Sequence, residues 1–133
     1  MNRETVRLGQ LLLSESLDLT NRRMELVAAY GIAALLYLSP TLMEVIVSSN
    51  NFGDAGVAAI ATALGANGNS RLQGLYLKNT HAGERAGRAL MQMVESNVSL
   101  TKLDLRGNME LDGETRQALL QACEKKNIRL YVD

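Results

Sequence analysis

Residues 42–64, LMEVIVSSNNFGDAGVAAIATAL, change their hydrophobic period within a few positions. Apolar residues first alternate, as at Val45 and Val47, which is typical of a β-strand with one buried side. The pair Asn50–Asn51 then favours a turn. After the turn, apolar residues recur at helical spacing: Ala59, Ile60, Ala63 and Leu64. The stretch therefore predicts a strand, a turn and a helix in succession.

The same change of period recurs along the chain, which indicates an internal repeat. The strand residues Leu42, Val45 and Val47 have counterparts thirty residues later and again after a further twenty-eight: Leu72, Leu75 and Leu77, then Leu100, Leu103 and Leu105. Apolar helix faces follow these strands: Ala89, Leu90, Met93 and Val94, then Leu119, Leu120 and Cys123. A more degenerate copy comes first, with Leu17 and Leu19 in the strand. The pattern predicts four units, at residues 14–41, 42–71, 72–99 and 100–127.

The segments that flank these units are patterned as well. RETVRLGQLLL, residues 3–13, reads as a short amphipathic helix with an apolar face: Val6, Leu8, Leu11 and Leu12. We expect residues 1–13 to cap the first unit, because an end unit of a stack leaves an apolar side uncovered. IRLYVD, residues 128–133, alternates like a last strand, and its free edge predicts self-association there. At 133 residues, the whole chain is expected to be one domain.

The repeat unit resembles that of leucine-rich repeat proteins, specifically the long, helix-containing kind found in ribonuclease inhibitor. That family's unit reads LxxLxLxxNxLxxxGxxxLxxxL, and the second unit here fills its fixed positions with Leu42, Val45, Val47, Asn50, Phe52, Gly56, Ile60 and Leu64. The resemblance covers about residues 14–132. It implies an α/β solenoid, a short curved arc with a parallel β-sheet on its concave side and helices on its convex side.

Two positions of the unit depart from the family's pattern. The asparagine position holds Arg22 in the first unit and Thr80 in the third. Because such asparagines bond neighbouring loop backbone, we expect the resulting ladder of hydrogen bonds to be incomplete. In the third unit the glycine, Gly87, comes one place late, which predicts a local adjustment.

The strand register predicts which side chains line the concave face, because successive strand residues point to opposite sides. With Val45 and Val47 inside, the exposed positions are Glu44, Ile46 and Ser48, and their counterparts Ser16, Asp18, Thr20, Gly74, Tyr76, Lys78, Lys102, Asp104 and Arg106. The middle row, with Tyr131, places an apolar and aromatic centre between acidic neighbours. We expect a partner protein to bind Asp18, Glu44, Ile46, Ser48, Tyr76, Lys78, Lys102, Asp104 and Arg106. Exposed apolar residues are also common on surfaces without any function, so a structural interpretation stays open.

The composition argues against catalysis, metal binding and cofactors. The chain has one histidine, His81, and one cysteine, Cys123, too few for a zinc cluster or a Cys/His catalytic arrangement. The glycine-rich GANGNS at 65–70 follows a helix and lacks the lysine of a phosphate loop, so it predicts a turn. We predict no enzymatic activity, no cofactor and no metal site.

Charge and hydropathy restrict the partners further. Fourteen Lys and Arg balance fourteen Asp and Glu, which does not favour nucleic acid or an anionic membrane as partner. LVAAYGIAALLYL, residues 26–38, is shorter than the roughly 20 residues that cross a bilayer, so it predicts a buried helix. A lone cysteine indicates a reducing compartment, and we expect a cytoplasmic protein.

Two other functions stay open. One is regulation of a GTPase, which the resemblance implies because members of the same repeat class act on GTPases; Arg85, Arg88 or Arg106 would then assist hydrolysis. The other is a structural role, as a segment of a longer or self-associating solenoid.

Overall fold

The computed structural model describes residues 15–39, 41–66, 71–97 and 99–133. The cap expected at 1–13 and the turn residues 67–70 lie outside the described residues. Strands and helices alternate throughout the described chain. The strands are β1 Ser16–Asp18, β2 Glu44–Ile46, β3 Gly74–Tyr76, β4 Lys102–Asp104 and β5 Arg129–Tyr131. The helices are α1 Leu26–Tyr37, α2 Gly53–Ala66, α3 Glu84–Ser96 and α4 Gly113–Lys125.

The five strands form one parallel sheet in chain order. Each helix therefore connects two neighbouring strands, which is the right-handed crossover that parallel strands require. The central residues of the strands are register partners across the sheet: Leu17, Val45, Leu75, Leu103 and Leu130. The expected α/β arc of the leucine-rich repeat type, with a parallel sheet and helices opposite it, is confirmed.

The core lies between the sheet and the helices. Val45, Val47 and Leu77 are fully buried, as the alternating pattern predicts. Their burial fixes the two sides of the sheet, because a shift by one residue would turn every side chain over.

The apolar face predicted for α4 is wrong at one position. Leu119 and Cys123 are buried, whereas Leu120 is 40% exposed. Residues four apart share a helix face, but Leu120 is rotated by about 100° from Leu119 and faces away from the core. Burial raises the pKa of the Cys123 thiol to about 11.

Each of the loops after β1 to β4 has a residue with left-handed backbone geometry at the same position of its unit. These residues are Asn21, Ser49, Asn79 and Gly107, with φ between 53° and 77°. Each stands directly before the asparagine position of its unit. In the first and third units, which lack the asparagine, the residue directly after that position is left-handed as well: Arg23 and His81. Gly107 also needs to be small, because a Cβ there would collide with the side chain of Asn79.

Two asparagines bond neighbouring turns of the chain together. The Asn50 amide oxygen accepts from the backbone N–H of Arg22 at 3.0 Å, and its nitrogen donates to the carbonyl of Leu19 at 2.9 Å. Asn108 makes the same two bonds in the fourth unit. Its amide oxygen accepts from the N–H of Thr80 at 3.1 Å, and its nitrogen donates to the carbonyl of Leu77 at 2.9 Å. Each asparagine thus joins its own loop to the preceding one.

Between these two asparagine contacts, a different side chain joins the second and third loops. The Thr80 hydroxyl donates to Leu77 within its own loop, 2.8 Å away. Asp54, in the first turn of α2, instead accepts from the backbone N–H groups of Gly83, Arg85 and Ala86 at 2.9, 3.1 and 2.7 Å. The carboxylate of one helix therefore caps the next helix, in the place where the asparagine ladder is interrupted.

The shifted glycine accommodates a different neighbour. A Cβ at Gly56 would meet Ala29 of α1 at 2.9 Å, whereas a Cβ at Gly87 would collide with Thr115 of α4. Gly56 thus lets the preceding helix approach, and Gly87 the following one.

Helix α1 is much less buried than its composition predicts. Its residues, LVAAYGIAALLY, include no charged side chain, yet Val27 is 84% and Tyr37 is 56% exposed. Only Ala29, Ile32, Ala33 and Leu36 are buried. The expectation of a buried helix is wrong for the described chain, because α1 has α2 on one side and no described helix on the other. None of the described helices has the length and apolarity needed to span a bilayer.

Candidate protein-binding surface

The middle row of the concave face has the predicted order. Asp18, Ile46, Tyr76, Asp104 and Tyr131 are successive register partners across β1 to β5. Neighbouring strands lie about 4.8 Å apart, so adjacent side chains of the row touch or nearly touch. The sheet therefore collects into one surface residues whose successive members are 27 to 30 positions apart in sequence.

Ile46 and Tyr76, at the centre of this row, are half-buried. A Cβ at Gly74 would collide with the carboxylate of Glu44 and lie 2.8 Å from the ring of Tyr76. The absent side chain of Gly74 thus leaves space in which Glu44 reaches the tyrosine. Burial raises the pKa of the Tyr76 phenol, and the charge of Glu44 beside it adds to this rise. The centre of the face is an aliphatic side chain next to a tyrosine held by a carboxylate.

Asp104 is placed in the predicted row but is not available to a partner. Its carboxylate accepts from Arg106 Nε at 3.1 Å and from Arg106 Nη2 at 2.8 Å, and the residue is only 5% exposed. Burial opposes the ionisation of Asp104, but the bonds from Arg106 outweigh it and hold the pKa of the carboxyl below its usual value. The Arg106 guanidinium also lies 5.3 Å from the centre of the Tyr131 ring. Exposure of Asp104, which the sequence predicts, is therefore wrong.

The predicted exposure of Ser48 is also wrong. The residue is buried, with 9% of its surface exposed, and its hydroxyl oxygen accepts from the backbone N–H of Lys78 at 3.1 Å. A short polar side chain beside a strand end satisfies the neighbouring backbone more readily than it reaches solvent. Ser48 thus stabilises the rim of the face.

The N-terminal side of the face is acidic. Asp18 is exposed and accepts from the hydroxyl and the backbone N–H of Thr20 at 2.6 and 3.1 Å. These bonds, the side-chain one first, lower the pKa of the Asp18 carboxyl. Glu44 stands on the next strand. Both carboxylates belong to β1 and β2.

The C-terminal side of the face is basic. Lys78, Lys102 and Arg129 are exposed, and in the described part of the chain no carboxylate lies within ion-pair distance of their side chains. Lys102 and Arg129 are register partners on β4 and β5, so two positively charged side chains project from adjacent positions of strands about 4.8 Å apart. Like charges on opposed strand positions destabilise a sheet. The balanced net charge conceals this separation of charges along the face.

Arg129 is not among the binding residues predicted from the sequence. The alternation of IRLYVD does place it outward, so the signal is present in the sequence. It becomes informative only beside Lys102, because the pairing of β5 with β4 makes the two cations neighbours.

The three arginines considered for action on a GTPase are not brought together. Arg85 and Arg88 belong to α3, where Arg88 lies 3.6 Å from the carboxylate of Glu84. Arg106 follows β4 and is bonded to Asp104. The helix arginines line an open groove of about 680 Å³ over the alanines of α2, opposite Tyr30 and Tyr37 of α1.

His81 lies in the loop between β3 and α3, with its Nδ1 3.2 Å from Glu110 Oε1. This contact lowers the pKa of Glu110. Among the described residues, no group of three or more His, Cys, Asp or Glu side chains is arranged to hold a metal ion.

Comparisons with known proteins agree with this architecture. A leucine-rich repeat family model matches residues 38–61. No curated protein matches the sequence. Of the solved structures, "Leiomodin-1 Actin-Binding Site 2 (ABS2)" is similar over 100% of this chain and 80% of its own, with a TM-score of 0.82 and 16% identity. The tropomodulin C-terminal domain of Caenorhabditis elegans is similar over 95% of this chain and 93% of its own, with a TM-score of 0.68 and 16% identity.

These similarities concern the fold. The matched segment, residues 38–61, contains β2 and most of α2, including the stretch with which the repeat begins. The two solved structures extend the same architecture over nearly the whole chain. The resemblance drawn from the repeat pattern is confirmed: the family model matches one repeat unit, and the fold is that of leucine-rich repeats of the long, helix-containing type.

Proposed function

We propose that the chain is a protein-binding module that holds an acidic segment of a partner protein on the concave face of its sheet. The fold and its structural neighbours support a protein-binding role in general. The concave face combines an apolar centre with cations that have no described carboxylate nearby, and this combination supports it as the binding site.

The observation that carries the proposal is the pair Lys102 and Arg129. They are neighbouring cations without a described carboxylate within ion-pair distance, next to the half-buried Tyr76 and Tyr131. Holding such a pair costs stability, and binding a carboxylate between them would remove that cost. Local rules of stability are most often broken at functional sites.

The dimensions fit a short extended segment. From β2 to β5 the face measures three strand spacings, about 14 Å, which four to five residues of extended chain cover. An apolar side chain of the partner would rest on Ile46 and Tyr76. Its carboxylates would then lie over Lys78, Lys102 and Arg129, while Glu44 and Asp18 would repel the opposite orientation.

A displayed library of random peptides, panned against the chain, tests the proposal directly. We expect the enriched peptides to combine Asp or Glu with one large apolar residue. The double variant Lys102→Glu, Arg129→Glu should weaken their binding about tenfold or more, since close charge pairs of this kind contribute about 1.5 kcal/mol or more. The matched control is Lys125→Glu, Lys126→Glu at the end of α4, which changes the net charge equally.

The apolar centre is tested with the same peptides. Ile46→Ala with Tyr76→Ala should weaken binding without unfolding the protein, since both side chains are only half-buried. Leu120→Ala with Tyr37→Ala removes equivalent exposed groups from the helices. Loss of binding in the helix variant alone would place the site on the convex side and disprove the proposal.

Actin is the first protein to assay, because the similar leiomodin structure is named as an actin-binding site. Monomeric actin that binds the chain, and binds the Lys102→Glu, Arg129→Glu variant less well, would identify a partner. A cytoplasmic location, where the thiol of Cys123 would stay reduced, is part of the proposal. Fractionation of cells that express the tagged chain would test it.

A further inference from the structure

An open groove runs along α2 on the side of the molecule away from the sheet, and its volume is about 680 Å³. Short side chains of α2 form its floor: Ala55, Ala59, Ala63 and Ala66. Long side chains of the two neighbouring helices form its walls: Tyr30 and Tyr37 of α1, and Arg85 and Arg88 of α3. The two walls therefore differ in chemistry, one being aromatic and the other cationic.

The repeat explains why the groove lies at α2. Corresponding positions are twenty-eight residues apart in the first and second units and thirty apart in the second and third. Tyr30, Ala58 and Arg88 therefore occupy the same position of α1, α2 and α3, so a short side chain stands between two long ones. Asp54 is the only charged residue of α2. The groove thus follows from the sequence of the middle helix.

The groove is apolar at its floor and positively charged at one wall. The Thr62 hydroxyl donates to the carbonyl of Ala58 at 2.8 Å, so the polar side chain of the floor is bonded to its own helix. Arg85 and Arg88 are the only charged residues among the described ones that line the groove. In the described chain no carboxylate lies within ion-pair distance of Arg85. Arg88 lies 3.6 Å from Glu84, but this pair is exposed and contributes little. A complementary ligand therefore carries carboxylates beside α3 and apolar groups elsewhere.

The floor also restricts the backbone conformation of the ligand. The backbone groups of α2 are bonded within the helix, so the floor offers no hydrogen-bond partner to the main chain of a ligand. An extended segment would bury its own backbone groups without partners, whereas a helix bonds these groups internally. Short side chains also let two helix axes approach to about 8 Å. From Ala55 to Ala66 the floor measures about 16 Å, which three turns of a second helix would cover.

We propose that the groove along α2 binds an amphipathic helix of a partner protein. The apolar side of this helix rests on the alanines and tyrosines, and Asp or Glu residues along one flank lie beside Arg85 and Arg88. The site is on the helix side of the molecule, so it is separate from the concave face and leaves that face free.

Two designed peptides test the proposal against the full-length chain. Both have about fourteen residues, with leucines at intervals of three and four along one side, and both are cross-linked on the opposite side to hold them helical. One peptide has glutamates along one flank, and the other has lysines in the same places. We expect the glutamate peptide to bind and the lysine peptide not to bind, as measured by fluorescence anisotropy of the labelled peptides. Equal binding of the two peptides, or no binding of either, would overturn the proposal.

The floor of the groove is tested with the glutamate peptide. Ala59→Gln with Ala63→Gln lengthens two side chains of the floor with a residue of high helix propensity and leaves the charge unchanged. Binding should weaken about tenfold or more, because the apolar contact is lost. The matched control is Ala118→Gln with Ala122→Gln, two half-buried alanines of α4 at the same spacing, and it should leave binding unchanged. An equal loss of binding in this control would count against the groove.

The cationic wall is tested separately. Arg85→Glu with Arg88→Glu should weaken binding of the glutamate peptide about fivefold or more. The fold should be kept, because both side chains are exposed and acidic residues near the start of a helix are favourable. Lys102→Glu with Arg129→Glu, on the concave face, should leave the binding of this peptide unchanged. Binding that depends on the concave-face pair and not on the two helix arginines would disprove the proposal.

A second copy of the chain is the other occupant that these variants distinguish. Sedimentation velocity of the unmodified chain is compared with that of the Ala59→Gln, Ala63→Gln variant. We expect the same sedimentation coefficient for both at equal concentration. If the variant dissociated a dimer, the groove would hold a second copy and the proposal would be wrong.

Discussion

The first and last helices of the described chain, α1 and α4, differ in the polarity of their outer sides. α4 buries only Leu119 and Cys123, and most of its remaining surface is polar, as GETRQALLQACEK shows. α1 buries four residues, yet its uncovered surface is apolar. The end unit of a solenoid has to present a polar outer side to remain soluble. The C-terminal end of the described chain meets this requirement with its own helix, whereas α1, at the other end of the described chain, keeps large apolar side chains exposed.

This difference changes where association is to be expected. The sequence directs attention to β5, because a strand edge leaves backbone groups unpaired. The exposed apolar side chains, however, gather at the opposite end, on α1. Self-association through β5 stays a prediction, and it can now be compared with association through α1.

The largest effect is expected midway between the two ends. Leu77→Asp, like Val47→Asp, places a carboxylate at a fully buried position, which costs several kcal/mol against a total stability of about 5–15 kcal/mol. Met109→Asp at the exposed loop after β4 should change stability by less than about 0.5 kcal/mol. Urea unfolding followed by circular dichroism compares the three. If Leu77→Asp unfolded at the same urea concentration as the unmodified protein, the register of the sheet would be contradicted.

Asn50 and Asn108 are expected to stabilise two different parts of the molecule, one near each end. Asn50→Ala and Asn108→Ala should each destabilise the protein by about 1–3 kcal/mol, because each leaves buried backbone groups without partners. In the Asn50→Ala variant, amide hydrogen exchange should become faster at residues 19–24, because Asn50 bonds Leu19, Arg22 and Met24. In the Asn108→Ala variant, exchange should become faster at residues 77–82. Identical exchange patterns would show that the loops are not independent.

Acid should distinguish two carboxylates of the same row. Because bonding lowers the folded-state pKa of Asp104, its stabilisation is present above the unfolded value near 4 and is lost as the pH falls through the lower folded value. At pH 7, Asp104→Asn should cost about 1 kcal/mol. This difference should shrink in acid. Asp18→Asn is the comparison: the pKa of Asp18 is also lowered, but its bonds to Thr20 lie in solvent, so the variant should change the pH dependence of unfolding less than Asp104→Asn does.

The smallest effect concerns association at the ends. The N–H of Arg129 and the carbonyl of Tyr131 both bond to the β4 side, so the backbone of Leu130 faces the open edge. Leu130→Pro should therefore weaken a concentration-dependent association in sedimentation velocity. Leu38→Lys, directly after α1 at the other end of the described chain, should leave this association unchanged. The reverse result would assign the association to the N-terminal end.

The repeat could be predicted because its signals are local and recur. Alternation at Val45 and Val47 fixes one strand, and spacings of 28 and 30 residues carry the register to the others. The sequence could not show that Asp104 is bonded to Arg106 instead of facing solvent, because two strand residues on one side can either pair or separate. Nor could it show that α1 has large apolar side chains exposed at the end of the described chain, since a buried helix and an end helix can have the same composition.

The carboxylate of Asp54 caps α3 from the first turn of α2, and this arrangement affects how the repeats unfold. A helix with its own cap, such as α4 with Asp112, keeps that stabilisation when its neighbour opens. α3 cannot keep its cap when α2 opens, because loss of α2 removes the acceptor for three backbone N–H groups at its N-terminus. The stabilisation thus belongs to the coupling between neighbouring repeats rather than to either repeat alone. Strong coupling of this kind favours a single cooperative transition for the second and third repeats over stepwise fraying.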